Sequence, residues 1–140
     1  MRFRSAAGLI ALCVVGWVRA ATLAGPAAYA TELASLVNDY RATRHTARLT
    51  VDPALSDLAL EHSAAMVRAK RLGHDDFKAR FGRSGYGMCV ENVGWNYSTP
   101  QAQLLAWRQS PGHDRNLLDA RVAHMGIGTA ADYVTFICCR

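Results

Sequence analysis

Apolar residues recur every three or four positions in the first part of the chain, which is the spacing of one face of a helix. Leu33, Leu36, Val37 and Tyr40 follow this spacing. They predict an amphipathic helix that ends near Arg44.

A second, longer helix is predicted after a loop over residues 45–51. Asp52 is a typical N-cap, and Pro53 suits the first helical position. We expect this helix to end near Arg71, with Gly73 as its C-cap signal. Its apolar stripe comprises Leu55, Leu58, Ala59, His62, Met66 and Ala69.

The middle of the chain gives one weak and one clear pattern. Residues 77–87 contain three glycines and predict an irregular segment with at most a short helical turn. Residues 100–109 predict a third helix, in which Leu104, Leu105 and Trp107 pack inward.

The last part of the chain changes to the pattern of strands. Residues 124–128 and 133–138 are rich in strand-forming residues and are joined through a short polar turn. Because helices come first and strands late, the pattern favours an α+β fold with helices packed on an antiparallel sheet.

The N-terminus has the features of a secretory signal peptide. An uncharged 14-residue run, residues 5–18, is flanked by Arg2, Arg4 and Arg19. As a helix this run would span about 21 Å, which is short of the roughly 30 Å core of a bilayer. A cleaved signal is therefore favoured over a membrane anchor.

Two sites have the small residues that signal cleavage needs. Cleavage after Ala30 is favoured, and cleavage after Ala20 is the alternative. We therefore predict a signal peptide over residues 1–30, a single domain over residues 31–140, and a location outside the cell or in the periplasm.

The charge of the chain argues against a nucleic-acid partner once the signal is set aside. The 140 residues carry 16 basic and 11 acidic side chains, a net charge of +5. Residues 31–140 keep 13 basic and 11 acidic side chains, a net of +2 in mixed order. No basic block remains that could follow a nucleic-acid backbone.

The cysteines allow one disulfide in the exported protein. Cys13 lies in the predicted signal peptide, which leaves Cys89, Cys138 and Cys139. Cys89 can pair with either Cys138 or Cys139, and one thiol is left over. Without a Cys-x-x-Cys pair, a zinc knuckle is not supported.

Three residues are candidates for chemistry. His74 follows a predicted helix end, His113 follows a helix-breaking segment in an exposed loop, and Glu91 lies in an apolar stretch where a carboxylate needs a partner. Together they suit a metal site or a hydrogen-bonded cluster. His62, on the apolar helix stripe, is expected to be a packing residue, and Asn92 is expected to hold the chain through its amide.

The order of these motifs resembles that of the CAP superfamily (cysteine-rich secretory proteins, antigen 5 and plant pathogenesis-related proteins), especially its short bacterial members. The most specific match is the Trp-x-x-Ser-Pro-Gly-His segment that ends at His113. The others are Leu36 to Arg41, Leu55 to Met66, Arg71 to His74, Glu91 to Val93 and Met125 to Gly128.

The resemblance implies a fold and a site. The fold would be a three-layer α-β-α sandwich around an antiparallel sheet. The family cleft carries two histidines and two glutamates, which can bind zinc or another divalent metal. His74, His113 and Glu91 match three of these positions, but Ser110 stands at the fourth. A hydroxyl does not replace a carboxylate there, so the implied metal site is a weakened triad.

The resemblance also implies the function classes. The first is a secreted binding or interaction module, monomeric and without a membrane span after cleavage, whose cleft takes a divalent metal or a lipid-like, small-molecule or protein ligand. The alternative is a metal-assisted, peptidase-like hydrolase that uses the same cluster. The sequence lacks His-Glu-x-x-His, and a Ser110–His113 pair lacks a visible orienting group and oxyanion hole. A Cys89–His113 dyad is conceivable, but a disulfide of Cys89 is favoured, so no catalytic residue is assigned.

Overall fold

The computed structural model describes residues 25–140 as five helices and one four-stranded sheet. In chain order the elements are α1 (Pro26–Thr43), β1 (Thr50–Val51), α2 (Pro53–Ala69), α3 (Phe77–Ser84), β2 (Cys89–Trp95), α4 (Pro100–Gln109), α5 (Pro111–Leu117), β3 (His124–Ala130) and β4 (Tyr133–Cys139). The strand order is β1-β3-β4-β2. The three long strands are antiparallel. The pair of β3 and β4 was predicted, whereas β2 was not predicted as a strand. The two-residue β1 adds a parallel edge.

Helices cover both faces of the sheet. Side chains alternate along β4, so that Phe136 and Cys138 join the larger core with α1, α4 and α5, whereas Ile137 and Cys139 join a smaller core with α2. The predicted α+β fold, a three-layer α-β-α sandwich, is confirmed. Among residues 25–140 no helix combines the length and apolar character needed to cross a membrane.

The second helix begins as predicted and ends earlier than predicted. The Asp52 carboxylate accepts a hydrogen bond of 2.8 Å from the backbone N–H of Ala54, which makes it the N-cap. Gly73 as the C-cap was wrong. Lys70 takes the left-handed conformation (φ 50°, ψ 38°) and ends the helix after Ala69, because the N–H of Arg71 turns back to the carbonyl of Met66.

Two segments predicted as irregular are helical. Residues 77–84 form α3, which Gly85 ends with a φ of +74°. Residues 111–117 form α5, so His113 lies on a helix and the predicted exposed loop was wrong. The proline that breaks α4 is the first residue of α5, where its fixed φ favours a new helix.

The third predicted helix, α4, has the expected bounds, and two of its three residues that were expected to pack inward do so. Leu104 and Trp107 are buried, being three positions apart on one side of α4. Leu105 is 51% exposed, so its predicted inward packing was wrong.

Helix α1 begins five residues before the predicted start of the mature domain. The Tyr29 hydroxyl donates a hydrogen bond of 3.0 Å to the carbonyl of Tyr97, and the Thr129 hydroxyl donates one of 3.1 Å to the carbonyl of Pro26. Residues 26–30 are thus part of the fold. Cleavage after Ala20 would leave these contacts intact. The rest of the predicted signal, residues 1–24, lies outside the described residues, and the boundary stays a prediction.

One of the two possible disulfides is present. Cys89 on β2 is bonded to Cys139, which lies directly opposite it on β4. Cys138 points to the other face of the sheet and is a buried free thiol. The disulfide ties the two strands together at the end where β2 begins.

Candidate functional site

The centre of the site is Glu91, near the middle of β2. Its cross-strand partner is Ile137, which packs under α2, so the Glu91 side chain points to the same layer as α2 and α3. Glu91 is buried, with 6% of its surface exposed. A carboxylate in such a place must be paired to remain charged.

Arg80 of α3 is that partner. Its Nε donates to Glu91 Oε2 at 2.8 Å and its Nη2 donates to Oε1 at 2.7 Å, which forms a two-pronged ion pair. Its Nη1 donates to the carbonyl of Asp75 at 2.5 Å. Arg80 is as buried as Glu91. The sequence analysis did not identify Arg80, and its only signal was its position three residues after Phe77 on the inner side of a short helix.

His74 is the second partner of Glu91. Its Nδ1 lies 2.9 Å from Glu91 Oε1. Burial by itself would raise the pKa of Glu91, but the hydrogen bonds from His74 and Arg80 hold that pKa below its usual value. Because an ionised carboxylate only accepts, Nδ1 is the donor in this contact. The His74 side chain is half exposed.

His62 of α2 anchors the segment that carries His74. Its Nε2 lies 2.8 Å from the carbonyl of Gly73 and 3.8 Å from Glu91 Oε1. Burial lowers the pKa of His62, so the ring is neutral and donates to Gly73. Its predicted burial is confirmed, but its contact with the site was missed, although a histidine on an apolar stripe needs a polar partner.

His113 approaches the site from α5. Asn92 donates a hydrogen bond of 3.0 Å to the carbonyl of His113, and Asn116 donates one of 2.9 Å to the Asn92 side-chain oxygen. These amides fix α5 against β2, which confirms the structural role expected for Asn92. Partial burial lowers the pKa of His113, and the nearby His74 lowers it further. Both histidines named from the sequence are therefore brought to this edge of the fold.

The remaining candidates, Ser110 and Cys89, make no side-chain hydrogen bond to His74, Glu91 or His113. Ser110 lies between α4 and α5, and its side chain caps neither helix. The sulfur of Cys89 is committed to the disulfide, which excludes a Cys89–His113 pair.

The implied metal site was tested against the donor atoms present. Within residues 25–140 no group of three or more histidine, cysteine, aspartate or glutamate side chains is arranged to hold a metal ion. Both oxygens of Glu91 accept hydrogen bonds from Arg80, and His74 Nδ1 is turned to the same carboxylate. In this arrangement Glu91 orients His74 by a hydrogen bond, and its oxygens are not free to serve as the third ligand of a metal ion.

We expect acid to destabilise the protein through this cluster. The folded pKa of His62 lies below its ordinary value of 6.5, so the unfolded chain takes up a proton that the folded chain refuses. Stability should fall as the pH drops below about 6.5, with a slope of up to about 1.4 kcal/mol per pH unit for each such proton. Glu91, whose pKa is also lowered, adds a further loss below its ordinary value of 4.5.

Urea unfolding at pH 7, 6 and 5 measures this dependence. His62→Gln should reduce the slope between pH 7 and pH 5, whatever its effect on stability at pH 7. A slope that is unchanged in His62→Gln would show that other groups cause the acid sensitivity.

Comparison with known proteins places the chain among related sequences. The family described as "CAP: Cysteine-rich secretory protein family" matches residues 34–139. An uncharacterized Bacillus subtilis protein, YkwD, is 29% identical over 109 residues, which are 72% of this chain and 42% of that protein. The chain thus spans less than half of this curated relative.

Solved structures give the same likeness. An extracellular protein of Bacillus anthracis that contains an SCP domain matches with a TM-score of 0.79 and 25% identity, over 82% of this chain and 41% of that one. An outer surface protein of Borrelia burgdorferi matches with a TM-score of 0.72 and 17% identity, over 79% of this chain and 90% of that one. The second likeness concerns the fold alone.

Proposed function

Because the chain belongs to the cysteine-rich secretory protein (CAP) family, we propose that it acts outside the cytoplasm as a binding module whose cleft is formed around His74 and His113. The signal-like N-terminus supports export, and so does the likeness to an extracellular and an outer surface protein. The disulfide agrees with an oxidising compartment.

The observation that carries this proposal is the fixed orientation of His74. Glu91 holds the ring through Nδ1, so Nε2 lies on the opposite side of this half-exposed ring. The neutral ring of His113 lies close by and can donate or accept. Such a pair recognises the hydroxyl, amide or ammonium group of a ligand by hydrogen bonds.

A variant that distinguishes the roles of the two ring nitrogens of His74 tests the proposal. His74→Asn keeps an N–H near the position of Nδ1 and removes the acceptor Nε2. We expect fragments that carry hydroxyl or amide groups to bind the wild-type protein in ligand-observed NMR and to lose at least about tenfold in affinity, roughly 1.4 kcal/mol, in this variant. His45→Asn, on an exposed turn, is the control and should bind as the wild type does.

The same proteins test the alternative function. Cleavage of fluorescent casein by the wild type that disappears in His74→Asn and His113→Ala would replace the binding proposal by a hydrolase. Fragment binding that is equal in the wild type and in both variants would place the ligand elsewhere.

A lipid-like ligand is the second candidate, supported by a groove along α1 at the β1 edge of the sheet. The groove has a volume of about 520 Å³, and its lining combines alanines of α1 with Val51 and with the buried side chains of Met125 and Ile127 on β3. An acyl chain would fit such a surface. Mass spectrometry of lipids carried by the periplasmically expressed protein tests this, and Ala30→Trp, which fills the groove, should abolish any lipid found.

A further inference from the structure

The groups around Glu91 are all donors. Oε1 lies within hydrogen-bond distance of Arg80 Nη2 and His74 Nδ1, and Oε2 accepts from Arg80 Nε. His62 Nε2 is near Oε1, but its proton is directed to the carbonyl of Gly73. No nitrogen lone pair faces the carboxylate, whereas a metal ion needs lone pairs at about 2.0–2.2 Å.

We propose that Arg80 is the built-in cation of this cluster: it takes the place that a divalent metal would need at Glu91 and positions His74 without one. The planar fork of the guanidinium matches the two carboxylate oxygens. A metal that used Glu91 as a ligand would therefore have to displace a buried side chain that already fits both carboxylate oxygens.

Arg80 also fixes the segment that carries His74. Its third nitrogen donates to the carbonyl of Asp75, next to His74 in the chain. The carbonyl of Gly73, on the other side of His74, accepts from His62. The backbone is thus held on both sides of His74 by buried donors, so the direction of the ring is set by protein groups alone.

The wild-type protein gives the first test. Its melting temperature and the imidazole ¹⁵N–¹H signals of His74, with the proton on Nδ1, should be unchanged by EDTA and by one equivalent of zinc chloride. A fall in melting temperature with EDTA, or a rise with zinc together with a shift of the His74 signals, would overturn the proposal. Every readout uses the free protein, so failure of the proposed binding function would leave this result standing.

Variants of Arg80 give the second test. Arg80→Ala should lower the melting temperature by about 10 °C or more and should replace the single His74 tautomer by a mixture. Methylguanidinium at tens of millimolar can enter from the groove that Arg80 and His62 line, and it should restore the Nδ1–H signal. Methylammonium at the same concentration should not.

A matched control lies on the same helix. Arg83 makes an equally two-pronged pair with Glu61, but on the surface, and Arg83→Ala should leave the His74 signals unchanged. If Arg80→Ala unfolds, Arg80→Lys replaces it, since lysine keeps the charge and loses the fork; we expect a smaller fall in melting temperature and a mixed tautomer. A wild-type His74 spectrum in the Arg80 variant that folds would overturn the proposal.

Discussion

Replacing Glu91 with glutamine should lower the free energy of unfolding by about 3–5 kcal/mol, the usual cost of removing one partner of a buried ion pair. Glutamine fills nearly the same volume, so the loss comes from charge rather than from a cavity. It leaves the guanidinium of Arg80 buried without a counter-charge and gives His74 Nδ1 a weaker acceptor. Urea unfolding of the wild type and of Glu91→Gln at pH 7 measures the difference.

Glu61→Gln is the control for this result. It breaks the surface pair with Arg83, which has the same geometry but is exposed to water, and we expect little change in stability. The double variant Arg80→Met/Glu91→Leu should recover much of the loss, because it removes both charges together. If Glu91→Gln and Glu61→Gln lowered the free energy of unfolding equally, burial would not strengthen the pair of Arg80 and Glu91.

Gly128→Ala should strongly destabilise the protein. A Cβ at this position on β3 would lie 2.0 Å from the backbone nitrogen of Leu60 and 2.5 Å from the carbonyl carbon of Ala59. These are backbone atoms of α2, which cannot turn aside as a side chain can. The helix would have to move away from the sheet, and we expect a loss of about 3 kcal/mol or more.

Gly82→Ala is the matched control, since Gly82 lies within α3 and a Cβ there meets nothing within 4 Å. This change should stabilise the protein by about 0.5–1 kcal/mol, because alanine favours the helix and restricts the unfolded chain. Denaturant midpoints of both variants give the comparison. A Gly128→Ala protein as stable as the wild type would show that α2 can shift at no cost.

Local patterns were enough to predict much of the fold. The N-cap of α2, the bounds of α4 and the hairpin of β3 and β4 all depend on neighbouring residues, such as Asp52, Thr99 and Ala131. The family resemblance supplied the layer order that periodicity alone left open. Helix α3 was missed because Gly82 within it and Gly85 just after it are typical of a loop, and the ion pair of Arg80 with Glu91, which holds the helix on the sheet, has no local signal.

The site was only partly predictable, because local patterns do not show which distant residues meet in the folded protein. His74, Glu91 and His113 were identified as candidates, and the structure places His74 on Glu91 with His113 nearby. Arg80 was not identified, because a lone arginine in a charged segment has no local feature that distinguishes a buried ion pair from a solvated one. The pair forms only when α3 folds back over β2.

Two adjacent residues of β2 serve opposite layers of the protein: Glu91 is paired with Arg80 on the α2 and α3 side, and Asn92 is bonded to α5 on the other. A slip of β2 by one residue against β4 would exchange them. It would place the carboxylate against the larger apolar core and the amide beneath the guanidinium, and both would lose their partners. Glu91 and Asn92 together thus specify the register of β2 against β4 more strictly than the apolar residues of β2 would by themselves.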